Sequence, residues 1–259
     1  MAYRCCIWLT LACAVSGCGK LRARSAVKAG NAYYQEGKLD LALEQFERAV
    51  SFEPSLALAH LHLGYSCIGL MQGATAQRRD QLAPKALKAF EHYIALRPDD
   101  ERGPRYYLKV LSDAGQHDRA LAYLERRHRQ SPGDLRIITS LGLIASRAGK
   151  LKQAISWYEK RAEMLPKDPK ARYLIGTAVW QHLYQNEQVV GGERLALADR
   201  GIEALKRAEA IAADDVQTLT YINLLYRERA KGQTTPEARE QDIKLAEQYR
   251  QRAMAKRDR

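Results

Sequence analysis

Five cysteines, six histidines and a few paired carboxylates are the residues of this 259-residue chain whose types could support chemistry. A thiolate beside a histidine would make a nucleophile, and cysteines or histidines at ligand spacing would hold a metal. The spacing offers neither. Cys5, Cys6, Cys13 and Cys18 crowd the N-terminus and Cys67 stands alone after them, so the body of the chain can build no internal disulfide and no cysteine cluster. His60 and His62 lie two apart, which on a helix sends them to different faces, and His92, His117, His128 and His182 are scattered. There is no phosphate-cradling Gly-x-x-x-x-Gly-Lys, no His-Glu-x-x-His and no Gly-x-Ser-x-Gly. The expectation is a protein that is not an enzyme, with no catalytic residue, no metal and no cofactor.

Binding is then the chemistry left to consider. Apolar residues make up 46% of the chain and charged ones 28%, with only eight prolines, which suits a helical protein with a core and argues against disorder. The net charge of +12 favours acidic partners. Only Arg4 of those charges lies in the first seventeen residues. Basic residues with interleaved tyrosines could meet nucleic acid, but the N-terminus argues for export and against such a partner.

That N-terminus has one early cation, Arg4, an apolar run from Ile7 to Val15, and small residues at Ser16 and Gly17. The run is too short to span a bilayer and reads as an export signal. The quartet Val15-Ser16-Gly17-Cys18 resembles the bacterial lipobox. That resemblance implies cleavage before Cys18, acylation of its sulfur and amine, and a membrane tether without a transmembrane helix. Gly19, where inner-membrane lipoproteins tend to carry Asp, favours the outer membrane facing the periplasm, with the inner membrane as the alternative.

The body must position whatever binds, and it repeats. In "ARSAVKAGNAYYQEGKLDLALEQFERAVSFEPSL", Gly30, Tyr33, Gly37, Ala42, Phe46, Ala49 and Pro54 mark two helices and a turn. The pattern returns at Gly64, Cys67, Ala86, Phe90 and Pro98. It returns again at Tyr107, Gly115, Ala120, Leu124 and Pro132, then at Gly142, Ala145, Gly149, Ala154, Tyr158 and Pro166, and at Gly176, Val179, Leu205 and Ala208. Small residues let paired helices approach, large ones fill the space between units, glycines end first helices and prolines follow second helices. Cys67 occupies the slot of Tyr33 and so reads as core. Asp99-Asp100 and Asp214-Asp215 fall at unit boundaries as charges for helix N-termini. Arg127 and Arg161 sit where a small residue such as Ala49 is usual, so the packing beneath them must differ or their stems must point outward. Two insertions, near Met71 to Ala83 and Trp180 to Ala198, should lengthen helices or form loops.

This pattern resembles the tetratricopeptide repeat, whose period is 34 residues. The resemblance implies an all-α, right-handed superhelical solenoid of about six helix-turn-helix units, near 23–56, 57–100, 101–134, 135–168, 169–215 and 216–235. The leader is 1–17, a lipidated N-terminus and short tether 18–22, the solenoid 23–235, and a basic capping helix 236–259. In that family the first helices line a concave face. Counting from the unit starts places Asn31, Leu58, Leu61, Tyr65, Arg102, Arg105, Lys109, Arg136, Thr139, Leu143, Lys170, Tyr173, Thr177, Trp180, Thr220 and Arg227 there. Arginine forks would hold carboxylates and aromatic faces would take side chains. The peptide-binding set is Asn31, Tyr65, Arg102, Arg105, Lys109, Arg136, Lys170, Tyr173 and Trp180, with Cys18 lipidated.

The resulting expectation is a lipid-anchored scaffold that holds an acidic or apolar peptide segment, or a helix, of another envelope protein. Alternatives are a pilotin-like factor for type IV pilus secretin assembly and an adaptor for peptidoglycan hydrolases. A cell-wall glycan binder or hydrolase using Trp180, Tyr184, Glu187 and Glu193 is a reading of a different class.

Overall fold

The structure, a computed structural model, describes residues 5–257, with side chains from residue 18 onward. Arg4, Arg259 and the side chains of the expected leader lie outside the described residues. Among the described residues the chain is all α, in twelve helices. They are α1 (Cys5–Gln35), α2 (Leu39–Phe52), α3 (Ala57–Met71), α4 (Ala76–Leu96), α5 (Arg102–Asp113), α6 (His117–Gln130), α7 (Leu135–Arg147), α8 (Leu151–Met164), α9 (Pro169–Gln185), α10 (Gly191–Glu209), α11 (Val216–Gly232) and α12 (Pro236–Arg257).

Local chemistry sets the ends of these helices. Gly37, Gly115 and Gly149 have φ of 73°, 66° and 72°, a left-handed turn that an L side chain resists. Each lets the next N–H reach back to close the helix: Lys38 N–H donates to Tyr33 O (2.9 Å), Gln116 to Leu111 O (2.8 Å) and Lys150 to Ala145 O (2.9 Å). Helices α2, α4, α6 and α8 each stop two residues short of a proline, at Pro54, Pro98, Pro132 and Pro166. Asp134, Asp168 and Asp215 cap α7, α9 and α11, accepting from the backbone of Arg136, Lys170 and Thr218.

Paired helices interlock by one recurring device. A ring or branched side chain of the second helix fills the space above a glycine of the first. A Cβ on Gly64 would lie 2.4 Å from the Phe90 ring, and one on Gly142 2.3 Å from Tyr158. Gly30 meets Phe46, and Gly176 meets Leu205, in the same way. Phe46, Phe90 and Tyr158 are buried as a result.

The helices gather into two compact units, Met1–Gln116 and His117–Arg259. In the first, α1 to α5 pack in chain order and α1 also touches α3. In the second, α6 to α12 pack in chain order, with α7 against α9 and α9 against α11. The first helices of successive repeats therefore share one side within each unit.

Several departures have physical reasons. Residues 18–22, expected as a tether, continue α1: Gly19 lies against Phe52 O, and Ala23 is fully buried. The first insertion becomes extra turns at the start of α4, with Thr75 accepting from Arg78 N–H at its cap (3.3 Å). The second extends α9, crosses a short loop and begins α10 at Gly191, φ 55°. Arg161 does not point outward. It lies over its own turn of α8, donating to Thr139 Oγ1 of α7 (3.1 Å) and pairing with Asp168 (2.5 Å), so one guanidinium ties three successive helices.

Arg194 and Glu228 hold the second insertion in place. They form an ion pair with both side chains about 95% out of solvent. Arg194 also donates to the carbonyls of Val189 (2.7 Å), Asn186 (3.1 Å) and Leu183 (3.3 Å), which fixes the loop before α10. Lys231 donates to the other Glu228 oxygen at 2.7 Å. At the C-terminus, α12 is held by Arg229 to Asp242 (2.5 Å), Arg252 to Glu209 (2.5 Å) and Lys256 to Asp214 (2.8 Å).

Candidate functional site

The side chains expected to bind fall into two sets, one in each unit. In the first unit, Asn31 and Tyr65 line one pocket of about 290 Å³, together with Tyr34, Gln35, Phe46 and His62. Gly30 opens this pocket by letting α1 sit directly on the Phe46 ring. His62 meets Phe46 edge-on (5.3 Å between centroids) and stacks on Tyr65 (6.2 Å). Tyr106 of α5 closes against Tyr65 at 4.6 Å. Among the described residues, no charged side chain lines the pocket.

Burial lowers the pKa of His62, and the nearby Arg102 lowers it further, so the imidazole is neutral at pH 7. Its Nδ1 is buried with no hydrogen-bond partner. Burial, and then Tyr106, push the Tyr65 phenol up to about 12.

The cations of α5 differ from a row of free forks. Arg102 wraps Asp100, with Nη2 at 2.6 Å and Nε at 3.0 Å, and also donates to Tyr93 Oη (3.0 Å). Those hydrogen bonds, Arg102's first and then Tyr93's, hold the Asp100 carboxyl well below the usual carboxylate range. Lys109 pairs with Asp113 at 2.6 Å, one turn away. Arg105 is exposed, and its side chain has no partner among the described residues. Leu61, expected on the binding face, is fully buried, because the helix presents its neighbour His62 there instead.

In the second unit, α7, α9 and α11 supply the corresponding side. Arg136 pairs with Asp134 (2.9 Å), the residue that also caps α7. Lys170 is exposed without a side-chain partner among the described residues. Tyr173, Trp180 and Tyr184 recur at helical spacing along α9, and the first two meet Tyr221 of α11. Trp180 stacks on Tyr184 at 5.2 Å, while Tyr221 meets Trp180 at 5.3 Å and Tyr173 at 5.7 Å, both edge-on. Tyr184 is 63% exposed and Leu143 of α7 is 42% exposed. Burial, then Tyr221, push the Tyr173 phenol up to about 12.

Tyr34, Gln35, His62, Tyr184 and Tyr221 are additions to the expected binding set. Tyr184 follows Trp180 by one turn, which was a usable signal. Tyr221 and His62 each come one position after an expected residue, and counting slots in a family register cannot resolve a rotation of that size.

Of the groups that could have done other chemistry, Cys67 and His60 are sequestered. Cys67 is buried, and burial pushes its thiol up to about 12. His60 Nε2 hydrogen-bonds Pro54 O (2.8 Å), and the His60 ring lies against His92. Glu187 and Glu193, the carboxylates of a glycan-directed reading, are both exposed. Among the described residues, no group of three or more His, Cys, Asp or Glu could hold a metal, and no helix is long and apolar enough to cross a membrane. Cys18 is exposed on α1.

A family model described as a TPR repeat matches residues 30–67. No curated protein matches the sequence. Among solved structures, MamA protein aligns at 17% identity over 76% of this chain and 94% of its own, with a TM-score of 0.51. MamA from Desulfovibrio magneticus RS-1 aligns at 16% over 77% and 93%, TM-score 0.50. PilW, a widely conserved type IV pilus biogenesis factor, aligns at 13% over 90% and 92%, TM-score 0.50. At these identities the likeness is one of fold: the chain is all-helical, with its helices packed pairwise as six tetratricopeptide helix-turn-helix repeats would be.

Proposed function

We propose that this chain is a non-catalytic tetratricopeptide scaffold, anchored through lipid on Cys18 at the periplasmic face of the outer membrane. It holds a peptide segment or helix of another envelope protein. The observation that carries this reading is the partly exposed aromatic shelf of Tyr173, Trp180, Tyr184 and Tyr221, with Lys170, which has no side-chain partner among the described residues, one turn before it on α9. Aromatic rings at a surface offer apolar area at little entropic cost, and cations beside them favour acidic neighbours. The net charge of +12 supports the same partner class.

The test is a photocrosslinking amino acid placed at Leu143, exposed on α7, the helix that packs against α9, in cells that retain the native membrane. A discrete crosslinked partner is expected, reduced about tenfold by Trp180→Ala with Tyr184→Ala, as expected for losing two aromatic anchors. An unchanged adduct would remove the shelf as the binding face. The extent of the likeness to PilW motivates a second reading, a pilotin-like factor for secretin assembly; under it the adduct contains a secretin subunit. An adduct with a peptidoglycan hydrolase would support the adaptor reading.

A further inference from the structure

The pocket of the first unit has a composition that selects its occupant, and we infer that it receives one aromatic side chain, preferentially tyrosine, from a peptide whose neighbouring acidic residue is held by Arg105. This rests on the peptide-scaffold reading and names the segment class that the first unit recognises.

Size is the first argument. About 290 Å³ lies at the low end of ligand pockets and suits one side chain with its backbone better than a whole metabolite. Chemistry is the second. The walls are the Phe46, Tyr34 and Tyr65 rings, with the amides of Asn31 and Gln35 at α1 and no charge. The His62 side chain makes no hydrogen bond among the described residues, and its Nδ1 is sealed from solvent. Sealing a lone pair costs less than sealing an N–H, which places the proton on Nε2. A neutral imidazole and two amides can satisfy a phenol, whereas an aliphatic side chain would leave them unpaired.

Charge supplies the third argument. Tyr106 braces the Tyr65 wall, Arg102 of α5 lies close enough to act on both His62 and Tyr65, and Arg105 follows Arg102 by three residues on the same side of the helix. Arg102 and Lys109 already hold Asp100 and Asp113. Arg105, exposed and without a partner among the described residues, is the α5 cation open to an incoming carboxylate.

The probe is a fluorescein-labelled glycine-serine peptide carrying one tyrosine and two adjacent glutamates, titrated against the full chain by fluorescence anisotropy. Changing the peptide's tyrosine to alanine should weaken binding about tenfold or more, and changing its glutamates to glutamine about fivefold. Asn31→Phe and, independently, Gln35→Trp fill the pocket from α1 without touching the core, and each should match the loss of tyrosine. Arg105→Glu should match the loss of the glutamates. Circular dichroism and melting curves establish that each variant folds.

Binding that ignores both pocket-filling variants, or the tyrosine, overturns the inference, as does no binding at all. If binding is lost with Trp180→Ala instead, the scaffold reading stands and the pocket assignment falls. N-acetyltyrosinamide competing as well as the whole peptide would make this a small-molecule site and overturn the peptide assignment.

Discussion

Cys67 sits at the centre of the α3–α4 pair with no exposed surface, and its thiol, pushed up to about 12, stays protonated throughout the physiological range. Only the thiolate is a nucleophile, so the native chain without residues 1–17 and carrying Cys18→Ser should leave an aromatic disulfide reagent unreacted at pH 8. The same chain in denaturant should release one equivalent for Cys67. Rapid reaction of the native protein would show that α3 and α4 open far more readily than their packing implies. Sequence slots placed Cys67 in the core because the repeat puts a filler there. The same slots mistook Leu61 for a surface residue and missed His62, because one position turns a helix by about 100° and the register is not that sharp. They also could not see that Arg102 and Lys109 would be occupied by Asp100 and Asp113, since pairing depends on side-chain reach rather than on face.

Helix ends were the most legible feature, for a physical reason. The φ of Gly37, Gly115 and Gly149, and the stops before Pro54, Pro98, Pro132 and Pro166, follow from local backbone chemistry that a sequence displays directly. The insertions were less legible. Nothing near Gly191-Gly192 announces that Arg194 pairs with Glu228, thirty-four residues away on the next repeat. Breaking a buried pair by removing one partner commonly costs about 3–5 kcal/mol, whereas apolar replacement of both is often far milder. Arg194→Met alone should therefore lower the stability of the second unit by roughly 3 kcal/mol in urea unfolding. Arg194→Met with Glu228→Leu should recover much of it, and amide exchange at residues 186–190 should rise in both, because the loop carbonyls of Asn186 and Val189 lose their donor. Equal losses in the single and double variants would mean that Arg194 acts through those carbonyls rather than through Glu228.

For the molecule as a whole, the fold was readable from recurrence, and the division into units was not. The sequence counts α5 and α6 as one repeat, yet the boundary between the two compact units falls between them, after Gln116. Repeat register records which residues are alike, while compactness depends on how many contacts each helix gathers. The anchor can be tested at this scale. Cys18→Ser should move the protein from the membrane fraction to the soluble periplasmic fraction, and persistence at the membrane would show a second means of attachment.

Gly19, the residue next to Cys18, already lies against Phe52 O, so no residue separates the one that carries the exposed sulfur from packed protein. With acyl chains on that sulfur, the first unit would have no slack. A protein on a long leash explores a volume whose radius grows with the leash, and its partner's local concentration falls accordingly. Mounted directly on the lipid, this one would search a plane. Encounter rates would then follow the number of partners per unit area of bilayer, and lateral diffusion, rather than bulk abundance, would set how often the scaffold is filled.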